Sequence, residues 1–277
     1  MFFRRLLACF LALMLCTSTA IAQEEQTLHL LLIGVDSQSP GKAGRSDTMM
    51  LAQIDLQTHD VRLVSFLRDL YVLIPGHGRT RLNAAYFYGG EELLKETLQK
   101  NFGVAVDRTV TVHYSVLADL VDELGGIEID VTEAERRHLN KLLEDYGGTV
   151  PDVEIPGLQR LSGLQALTYS RLRKLDSDFQ RTSRQQTVLA AMLKQMARMT
   201  KWELFKMAVA NLGKVQTDFT LGDLYRLSPM FGKVADLNIQ TAHVPFDGTY
   251  TDETINGMMV LKPDLEKNQN LLEQFLH

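Results

Sequence analysis

The sequence TLHLLLIGVD at residues 27–36 governs how the rest of the chain is interpreted. It is an apolar run of β-forming residues that ends in one carboxylate, and a loop rich in serine, glycine and proline follows it at residues 37–44. This pattern predicts a buried strand. Apolar runs at residues 48–54 and 61–67 predict two neighbouring strands of the same sheet. Asp36 would then lie at the carboxyl end of the first strand, where α/β sheets bind their ligands.

Helical patterns alternate with these strands along the rest of the chain. Residues 90–102 predict a helix that ends before a glycine, and residues 181–199 carry the longest apolar stripe of helical period. Thr132 and Glu135 match a capping box, and Ser162 predicts another helix start. Further strands are expected at residues 108–114, 127–131, 239–244 and 257–261, and further helices at residues 204–212, at residues 221–234 and after Asp264. Strands that alternate with helices predict an α/β protein.

The first 22 residues have the features of an export signal. Two arginines precede an almost wholly apolar run at residues 6–15, and Ala-Ile-Ala at residues 20–22 forms a cleavage pattern. The run is shorter than the ~20 residues of a membrane span, which favours a cleaved signal peptide over a retained N-terminal anchor. Both cysteines lie within residues 1–22, so disulfides and thiolate chemistry are excluded from the remainder. Residues 23–277 are expected to form one extracytoplasmic domain.

The formal net charge of the chain is −5 at pH 7. Nucleic-acid-binding domains usually have a basic balance, so nucleic acid is not expected as a partner. Within this acidic chain, residues 160–184 hold six basic residues against two aspartates. Arginine matches phosphate oxygens with a rigid fork of donors, and in an extended segment Arg171 and Arg173 would point to the same side. A solvated helix face with paired charges explains this segment equally well.

Asp36 and Asp47 flank the loop between the first two predicted strands. If these strands are neighbours, the two carboxylates lie close together, and they repel each other unless a proton or a cation lies between them. Mg²⁺ is commonly held by one or two carboxylates together with waters and substrate phosphates. Aspartate at a strand end more commonly caps a loop. The pair therefore has two interpretations, a Mg²⁺ site or loop capping.

Two further arginines stand near the ends of predicted elements. Arg68 follows the third predicted strand, at the edge where α/β sheets place ligands, although a surface ion pair with Asp69 is the alternative. Arg81 comes before Gly89-Gly90, which could present amides to an anion but is also ordinary turn chemistry. The sequence contains no zinc-protease, nucleophile-elbow, Walker A or dinucleotide-binding motif. Ser-His-Asp hydrolysis is therefore unsupported.

Seven segments form an ordered set: LLIGVD (31–36), GRSDTMML (44–51), VSFLRDLYVLIPG (64–76), RLNAAYFYGG (81–90), LVDELGGIEIDV (120–131), LSGLQALTYSRLR (161–173) and DFQRTSRQQTVL (178–189). Each motif alone is weak. The ordered set, which spans roughly residues 28–199, is specific, and it resembles the LytR-CpsA-Psr family of extracytoplasmic wall-polymer transferases. Three positions depart from the family pattern, with Leu67 in place of proline, Arg81 in place of lysine and Ser177 in place of glycine.

The resemblance implies a single α/β/α sandwich domain with a central mixed sheet flanked by helices. It implies an enzyme at the membrane surface that moves a glycopolymer phosphate from a polyprenyl-pyrophosphate carrier to peptidoglycan, with the lipid tail in an apolar pocket. The motif matches assign Mg²⁺ to Asp36 and Asp47. They assign pyrophosphate binding to Arg45, Arg68, Arg81, Arg171, Arg173, Arg181 and Gln185. The implied catalytic residues are Arg68, Arg171, Arg173 and Asp178.

Two other functions could use the same residues. One is a hydrolase that splits the lipid pyrophosphate with water, and the other is a non-catalytic module that holds polyprenyl lipids or wall polymers. A pure lipid holder needs no metal carboxylates, which disfavours the second function. Phosphoryl transfer depends on charge neutralisation and alignment more than on covalent help from the protein. The arginines and aspartates therefore favour an enzyme, and only an acceptor substrate separates transferase from hydrolase.

Overall fold

The computed structural model describes residues 27–35, 44–172, 178–211, 213–220 and 237–277. Four sequence predictions lie outside these residues, namely the export segment, the helix at residues 221–234, Asp36 and Arg173. Within the described residues, no helix has the length and the apolar character needed to cross a membrane.

The strands, in chain order, are β1 (Thr27–Val35), β2 (Ser46–Asp55), β3 (Val61–Phe66), β4 (Tyr71–Ile74), β5 (Gly78–Arg81), β6 (Arg108–His113), β7 (Ile127–Val131), β8 (Gly157–Leu161), β9 (Gln216–Thr217), β10 (Ile239–Val244), β11 (Tyr250–Ile255) and β12 (Met258–Pro263). The α-helices are α1 (Asn83–Phe102), α2 (Tyr114–Glu123), α3 (Glu133–Leu143), α4 (Gly163–Ser170), α5 (Asp178–Ala197), α6 (Lys201–Asn211) and α7 (Leu265–Leu276). The predicted strands and helices that fall within the described residues are present, and most bounds shift by a few residues. The exception is α1, which begins at Asn83 rather than residue 90 and has non-helical backbone angles at Gly89 and Gly90.

A six-stranded mixed sheet forms the centre of the fold, in the order β10-β3-β2-β1-β6-β9. The three strands predicted from the first apolar runs are adjacent, because β2 pairs antiparallel with both β1 and β3. β6 joins β1 in parallel, and β10 joins β3 in parallel. β1 therefore lies inside the sheet, with a hydrogen-bonded neighbour on each side.

The side chains of β1 alternate between two faces of the sheet, as a strand requires. Leu31 and Ile33 are at most 1% exposed and join a cluster that includes Leu94 of α1. Leu28 belongs to a different cluster, together with Leu193 of α5. Full burial of one such leucine contributes about 2 kcal/mol. Helices cover both faces of the mixed sheet, which confirms the α/β/α sandwich.

A second layer is built around the antiparallel pair of β7 and β8 and helices α2, α3 and α4. The predicted capping box of Thr132 and Glu135 is present at the start of α3. Ser162 also caps α4 in a capping box, which it forms with Gln165. These caps satisfy backbone N–H groups that a helix start leaves without partners. They fix where α4 begins, and α4 carries the chain to Arg171 at its C-terminal end.

Candidate active site

Asp47 lies at an irregularity in the pairing of β1 with β2. Gly34 pairs with Thr48 but Val35 pairs with Ser46, so Asp47 is an extra residue without a partner position. Such a β-bulge re-aims a side chain and is common beside active sites. The strands approach so closely that a Cβ atom on Gly34 would lie 2.9 Å from the Thr48 Cβ. Gly34, the glycine of the LLIGVD motif, therefore allows β1 and β2 to lie close together next to the bulge at Asp47.

Arg68, just after β3, lies among three carboxylates. Its Nη1 donates a hydrogen bond of 2.9 Å to Asp47 Oδ1. Its Nη2 lies 3.7 Å from Asp178 Oδ1, and its Nε lies 3.5 Å from Asp69 Oδ2. These carboxylates belong to β2, to the first turn of α5 and to the loop after β3. The tertiary fold brings them around one guanidinium group, on a side chain that is only 23% exposed.

Arg81 and Arg181 extend this arrangement on either side of Arg68. Arg81 Nη1 lies 3.1 Å from Asp69 Oδ1. Arg181 Nη2 lies 2.8 Å from Asp178, one helical turn earlier on α5, and the Arg181 side chain is only 4% exposed. We refer to the connected set as the arginine network, and its members are Arg68, Arg81, Arg181, Asp47, Asp69 and Asp178.

The arginine network keeps a fixed positive charge on Arg68. Burial lowers the pKa of the Arg68 guanidinium, but the hydrogen bond to Asp47 and the nearby charges of Asp178 and Asp69 outweigh that effect. The pKa of Arg68 is therefore raised above its ordinary value. A guanidinium held in place by carboxylates can bind phosphate oxygens in a fork geometry without first being ordered.

Arg171 approaches the same end of the sheet by a different route. It follows the last residue of α4, and its Cζ atom lies 5.1 Å from the centre of the Tyr114 ring, a cation–π arrangement. Tyr114 begins α2 directly after β6, and its Cε1 atom lies 3.8 Å from the position of a Cβ on Gly34. Tyr114 thus connects Arg171 to the β1–β2 edge. Sequence reasoning missed Tyr114, although its place after a strand parallel to β1 was a usable signal.

Of the remaining predicted site residues, the structure describes two and leaves two outside the described residues. Gln185 shares one face of α5 with Asp178 and Arg181, because the three are spaced at i, i+3 and i+7. Arg45 is exposed immediately before β2. Asp36 and Arg173, which lie outside the described residues, stay predictions. The structure therefore brings together Arg68, Arg81, Arg181, Asp47 and Asp178.

Arg184 belongs to the basic segment but takes a structural role. Its side chain is 5% exposed, and its Nη2 donates a hydrogen bond of 2.9 Å to the carbonyl of Leu172. Its Nη1 lies 3.5 Å from Glu135, the residue that closes the capping box of α3. Arg184 therefore fixes the backbone next to Arg171.

An apolar strip lies on the α5 face of the central strand. Leu30 and Leu32 are only partly buried although β1 lies inside the sheet, whereas Leu31 and Ile33 on the opposite face are 0% and 1% exposed. A central strand under covering helices is normally buried on both faces. Accessible apolar surface at such a position is typical of a site for an apolar ligand. The strip comprises Leu30, Leu32, Leu189, Ala190 and Leu193.

The chain belongs to the LytR_cpsA_psr family, because the sequence profile of this family matches residues 15–275. "Regulatory protein MsrR" of Staphylococcus aureus is 29% identical over 254 residues, which cover 90% of this chain and 74% of that protein. "Polyisoprenyl-teichoic acid--peptidoglycan teichoic acid transferase TagU" of Enterococcus faecalis is 29% identical over 234 residues, which cover 81% of this chain and 73% of that protein.

Solved structures of TagT from Bacillus subtilis have the same fold as this chain. "TagT bound to LIIa-WTA" is 27% identical with a TM-score of 0.75, covering 91% of this chain and 90% of that one. TagT "with bound octaprenyl pyrophosphate lipid" is 25% identical with a TM-score of 0.69, covering 91% of each chain. These likenesses agree with the mixed sheet and its flanking helices, and they concern proteins that bind a pyrophosphate-linked lipid.

Proposed function

We propose that this chain is an extracytoplasmic phosphotransferase that moves a glycopolymer phosphate from a polyprenyl-pyrophosphate carrier to peptidoglycan. The observation that carries this proposal is the convergence of Arg68, Arg81 and Arg181, which three carboxylates join into one network. The relatives TagU and TagT, named as teichoic acid transferases, support the same reaction. Which glycopolymer this chain carries is a separate question.

The arginines would bind the pyrophosphate and stabilise its departure. In the reaction, a sugar hydroxyl of peptidoglycan forms a bond to the phosphorus next to the glycopolymer, and the bond from that phosphorus to the prenyl phosphate breaks. Negative charge then collects on the departing prenyl phosphate. Arg68 and Arg171 are suited to neutralise this charge, because phosphoryl transfer depends chiefly on positioning and electrostatic stabilisation.

Asp178 is our candidate to accept the proton of the attacking hydroxyl. Its side chain is 29% exposed and contacts both Arg68 and Arg181. It also lines a cleft of about 350 Å³, together with Asp69, Phe179 and residues of the β11–β12 hairpin. This cleft would admit a sugar next to the arginine network, so a hydroxyl could reach the carboxylate within hydrogen-bond distance.

Mg²⁺ is part of the proposal, with Asp36 and Asp47 as its carboxylate ligands. Within the described residues, no three histidine, cysteine or acidic groups lie close enough to hold a metal on their own. Mg²⁺ is commonly held by one or two carboxylates that share the ion with waters and phosphates. Asp47 fits this role because it bulges from the ladder beside Val35, the residue that precedes Asp36 in the sequence. When bound, Mg²⁺ would neutralise phosphate charge.

The apolar strip is suited to the prenyl tail of the carrier. Leu30 and Leu32 run along β1 toward the edge where Asp47 and Arg68 lie, so a chain resting on them would end at the arginine network. Leu189 and Leu193 of α5 provide the opposite wall. A lipid in this position would bury apolar surface while its pyrophosphate stays in the charged region.

The test is a ligation reaction with purified protein, a lipid-linked donor and a peptidoglycan oligomer, with Mg²⁺ or a chelator. We expect ligated product that requires both the acceptor and Mg²⁺. Arg171→Ala should reduce its formation by at least about 10²-fold. Arg137→Ala is the matched control, since Arg137 is 72% exposed and pairs only with Glu133 among the described ion pairs.

The outcomes of this reaction separate the alternatives. Free phosphate without ligated product would assign the protein as a lipid-pyrophosphate hydrolase, and binding without turnover would assign it as a lipid-holding module. Full activity of Arg171→Ala would remove Arg171 from the site. Ligation that is insensitive to chelator would remove the metal from the proposal. Ligation that persists in Asp47→Asn with unchanged Mg²⁺ dependence would remove Asp47 as a ligand of the metal.

A further inference from the structure

Helix α6 exposes a pair of large aromatic side chains. Trp202 is 64% exposed and Phe205 is 51% exposed. Their rings stack on each other, with centroids 5.6 Å apart and planes 17° apart. The two residues are spaced at i and i+3, so they lie on one face of the helix. Large aromatics exposed side by side mark an interaction surface, and tryptophan in particular favours the boundary between lipid and water.

Basic residues flank this aromatic pair in the sequence. Lys194, Arg198, Lys201 and Lys206 are all exposed, and Glu203 is the single acidic residue between positions 194 and 206. Within the described residues, Arg198 also lies 3.5 Å from Glu128 of β7, which offsets part of the charge. The excess of positive charge is local, because the whole chain has a net charge of −5. Aromatic residues among lysines are suited to an anionic lipid surface.

The position of α6 connects this surface to the apolar strip. α5 begins at Asp178 in the arginine network and ends at Ala197, and 20 helical residues span about 30 Å. Ala197 belongs to the same buried cluster as Leu28, near the start of β1. α6 begins four residues after Ala197. The aromatic pair therefore lies near the end of the strip that is remote from Arg68.

The described chain also enters the fold at this end. Thr27, the first residue of β1, pairs with Asp55 at the end of the β1–β2 ladder that is remote from Asp47. The apolar segment predicted in residues 1–22 precedes Thr27 in the sequence. If that segment is retained as an anchor, it would hold toward a bilayer the same end of the sheet near which α6 lies.

We propose that α6 is a membrane-contacting surface, on which Trp202 and Phe205 enter the headgroup region of an anionic bilayer and Lys201 and Lys206 contact its headgroups. This inference rests on the proposed function, because docking through α6 would serve to bring the remote end of the apolar strip to the bilayer. A prenyl tail could then pass from the membrane along Leu193 and Leu32, and its pyrophosphate would reach Arg68 at some distance above the surface.

Trp202 allows a direct test in the full chain, because it is the only tryptophan in the sequence. Vesicles of phosphatidylglycerol without any prenyl lipid would be added while the emission spectrum and quenching by lipids with brominated acyl chains are recorded. We expect a blue shift of the emission and quenching by the brominated lipid. With vesicles of phosphatidylcholine, the lipid concentration needed for the same blue shift should be at least about tenfold higher.

Two charge-reversal variants, each a pair of substitutions, sharpen this test. Lys201→Glu with Lys206→Glu should raise the lipid concentration needed for the blue shift by at least about tenfold. Lys262→Glu with Lys267→Glu makes the same change of charge on exposed residues of β12 and α7. This control should leave the titration unchanged.

A single apolar substitution tests the insertion of α6 itself. Phe205→Ser should weaken binding, whereas Ile155→Ser, at a side chain that is 67% exposed, should not. Equal effects of the test and control variants, in either comparison, would overturn the assignment of the surface to α6.

Other results contradict the proposal in distinct ways. An unchanged Trp202 spectrum with anionic vesicles, even if the protein binds them through another segment, would overturn it. A blue shift that depends on protein concentration without vesicles would assign α6 to contact with a second copy. A blue shift without ligation activity would keep the surface and remove the proposed function. Ligation in detergent without a blue shift on vesicles would keep the proposed function and remove the membrane-contacting surface.

Discussion

Arg68 shows how one residue can organise a site that local sequence does not define. Its guanidinium group lies within 3.7 Å of carboxylates from three separate segments, on Asp47, Asp69 and Asp178. Such a group orders its acidic neighbours and keeps the positive charge that the proposed phosphate binding requires. Removal of one partner from a partly buried ionic group is costly, because the charges left behind lose their compensation.

Arg68→Ala should therefore affect both stability and turnover. We expect a loss of about 2 kcal/mol in unfolding free energy, which corresponds to a melting temperature lower by roughly 4–8 °C for a domain of this size. Donor turnover should fall by at least about 10²-fold. Arg160→Ala, at a 47% exposed side chain paired with Glu128, should change stability by less than about 1 kcal/mol. Equal effects of the two variants would contradict the role of Arg68.

Tyr169 gives the fold a dependence on alkaline pH. Burial, the charge of Glu135 and the hydrogen bond to that carboxylate raise the pKa of the Tyr169 hydroxyl well above its ordinary value. The unfolded chain loses this proton near pH 10, while the folded chain keeps it. The stabilising contribution of the neutral hydroxyl is therefore present below about pH 10 and is lost as the pH rises further.

Tyr169→Phe should reduce this dependence. Urea unfolding at a series of pH values from 8 to 11 would be compared for the two proteins. Above about pH 10, the wild type should lose unfolding free energy with a slope steeper by up to about 1.4 kcal/mol per pH unit. Parallel curves would show that Tyr169 titrates alike in the folded and unfolded states.

At the scale of elements, the packing of α4 against α2 controls where Arg171 lies. Gly163, the first residue of α4, donates its N–H to Asp122 of α2 at 2.7 Å. A Cβ atom on Gly163 would lie 2.7 Å from the carbonyl carbon of Ala118, closer than real side chains allow. α2 begins at Tyr114 and α4 leads to Arg171. Separation of the two helices would therefore also break the cation–π contact between Arg171 and Tyr114.

Gly163→Ala should lower the unfolding free energy by about 1–3 kcal/mol, because overpacking forces α2 and α4 apart. Gly213→Ala is the matched control, since nothing lies within 4 Å of the added Cβ and the backbone there is not left-handed. We expect that control to stay within about 0.5 kcal/mol of the wild type. Thermal unfolding would measure both, and a neutral Gly163→Ala would contradict the close packing of α2 and α4.

Most elements with regular apolar periods could be predicted from the sequence, although the short strand β4 was missed, and irregular elements could not be predicted. β1, at Thr27–Val35, was predicted with its observed bounds because it is a continuous apolar run. β5, at Gly78–Arg81, was missed because it holds no apolar residue. β8, at Gly157–Leu161, was also missed, because its exposed face and its glycine hide the alternation. Such strands are defined by their partners rather than by their own sequence.

The candidate site was likewise predictable only where local sequence defines it. The arginines could be proposed from residue chemistry and motif order, but which of them share a network depended on long-range packing. Arg181 and Arg184 are three residues apart, yet Arg181 contacts Asp178 and Arg184 contacts the carbonyl of Leu172. The bulge at Asp47 depends on the register between two strands, which local sequence does not specify.

For the whole molecule, the proposed function requires three features to be arranged along one axis. The arginine network lies at the carboxyl end of β1, the apolar strip runs along β1 and α5, and α6 lies beyond the other end of α5. A lipid that spans this axis would have its charged group among arginines and its tail against leucines. The pyrophosphate and the prenyl tail of such a lipid would each contact a surface of matching polarity.

The most direct measurement is a crystal structure of the protein with a polyprenyl pyrophosphate and Mg²⁺. We predict that phosphate oxygens lie within hydrogen-bond distance of the guanidinium groups of Arg68 and Arg171, that the ion contacts Asp47, and that the prenyl chain rests on Leu30 and Leu32. A pyrophosphate bound away from Arg68 and Arg171, or a prenyl chain bound outside the apolar strip, would contradict the account.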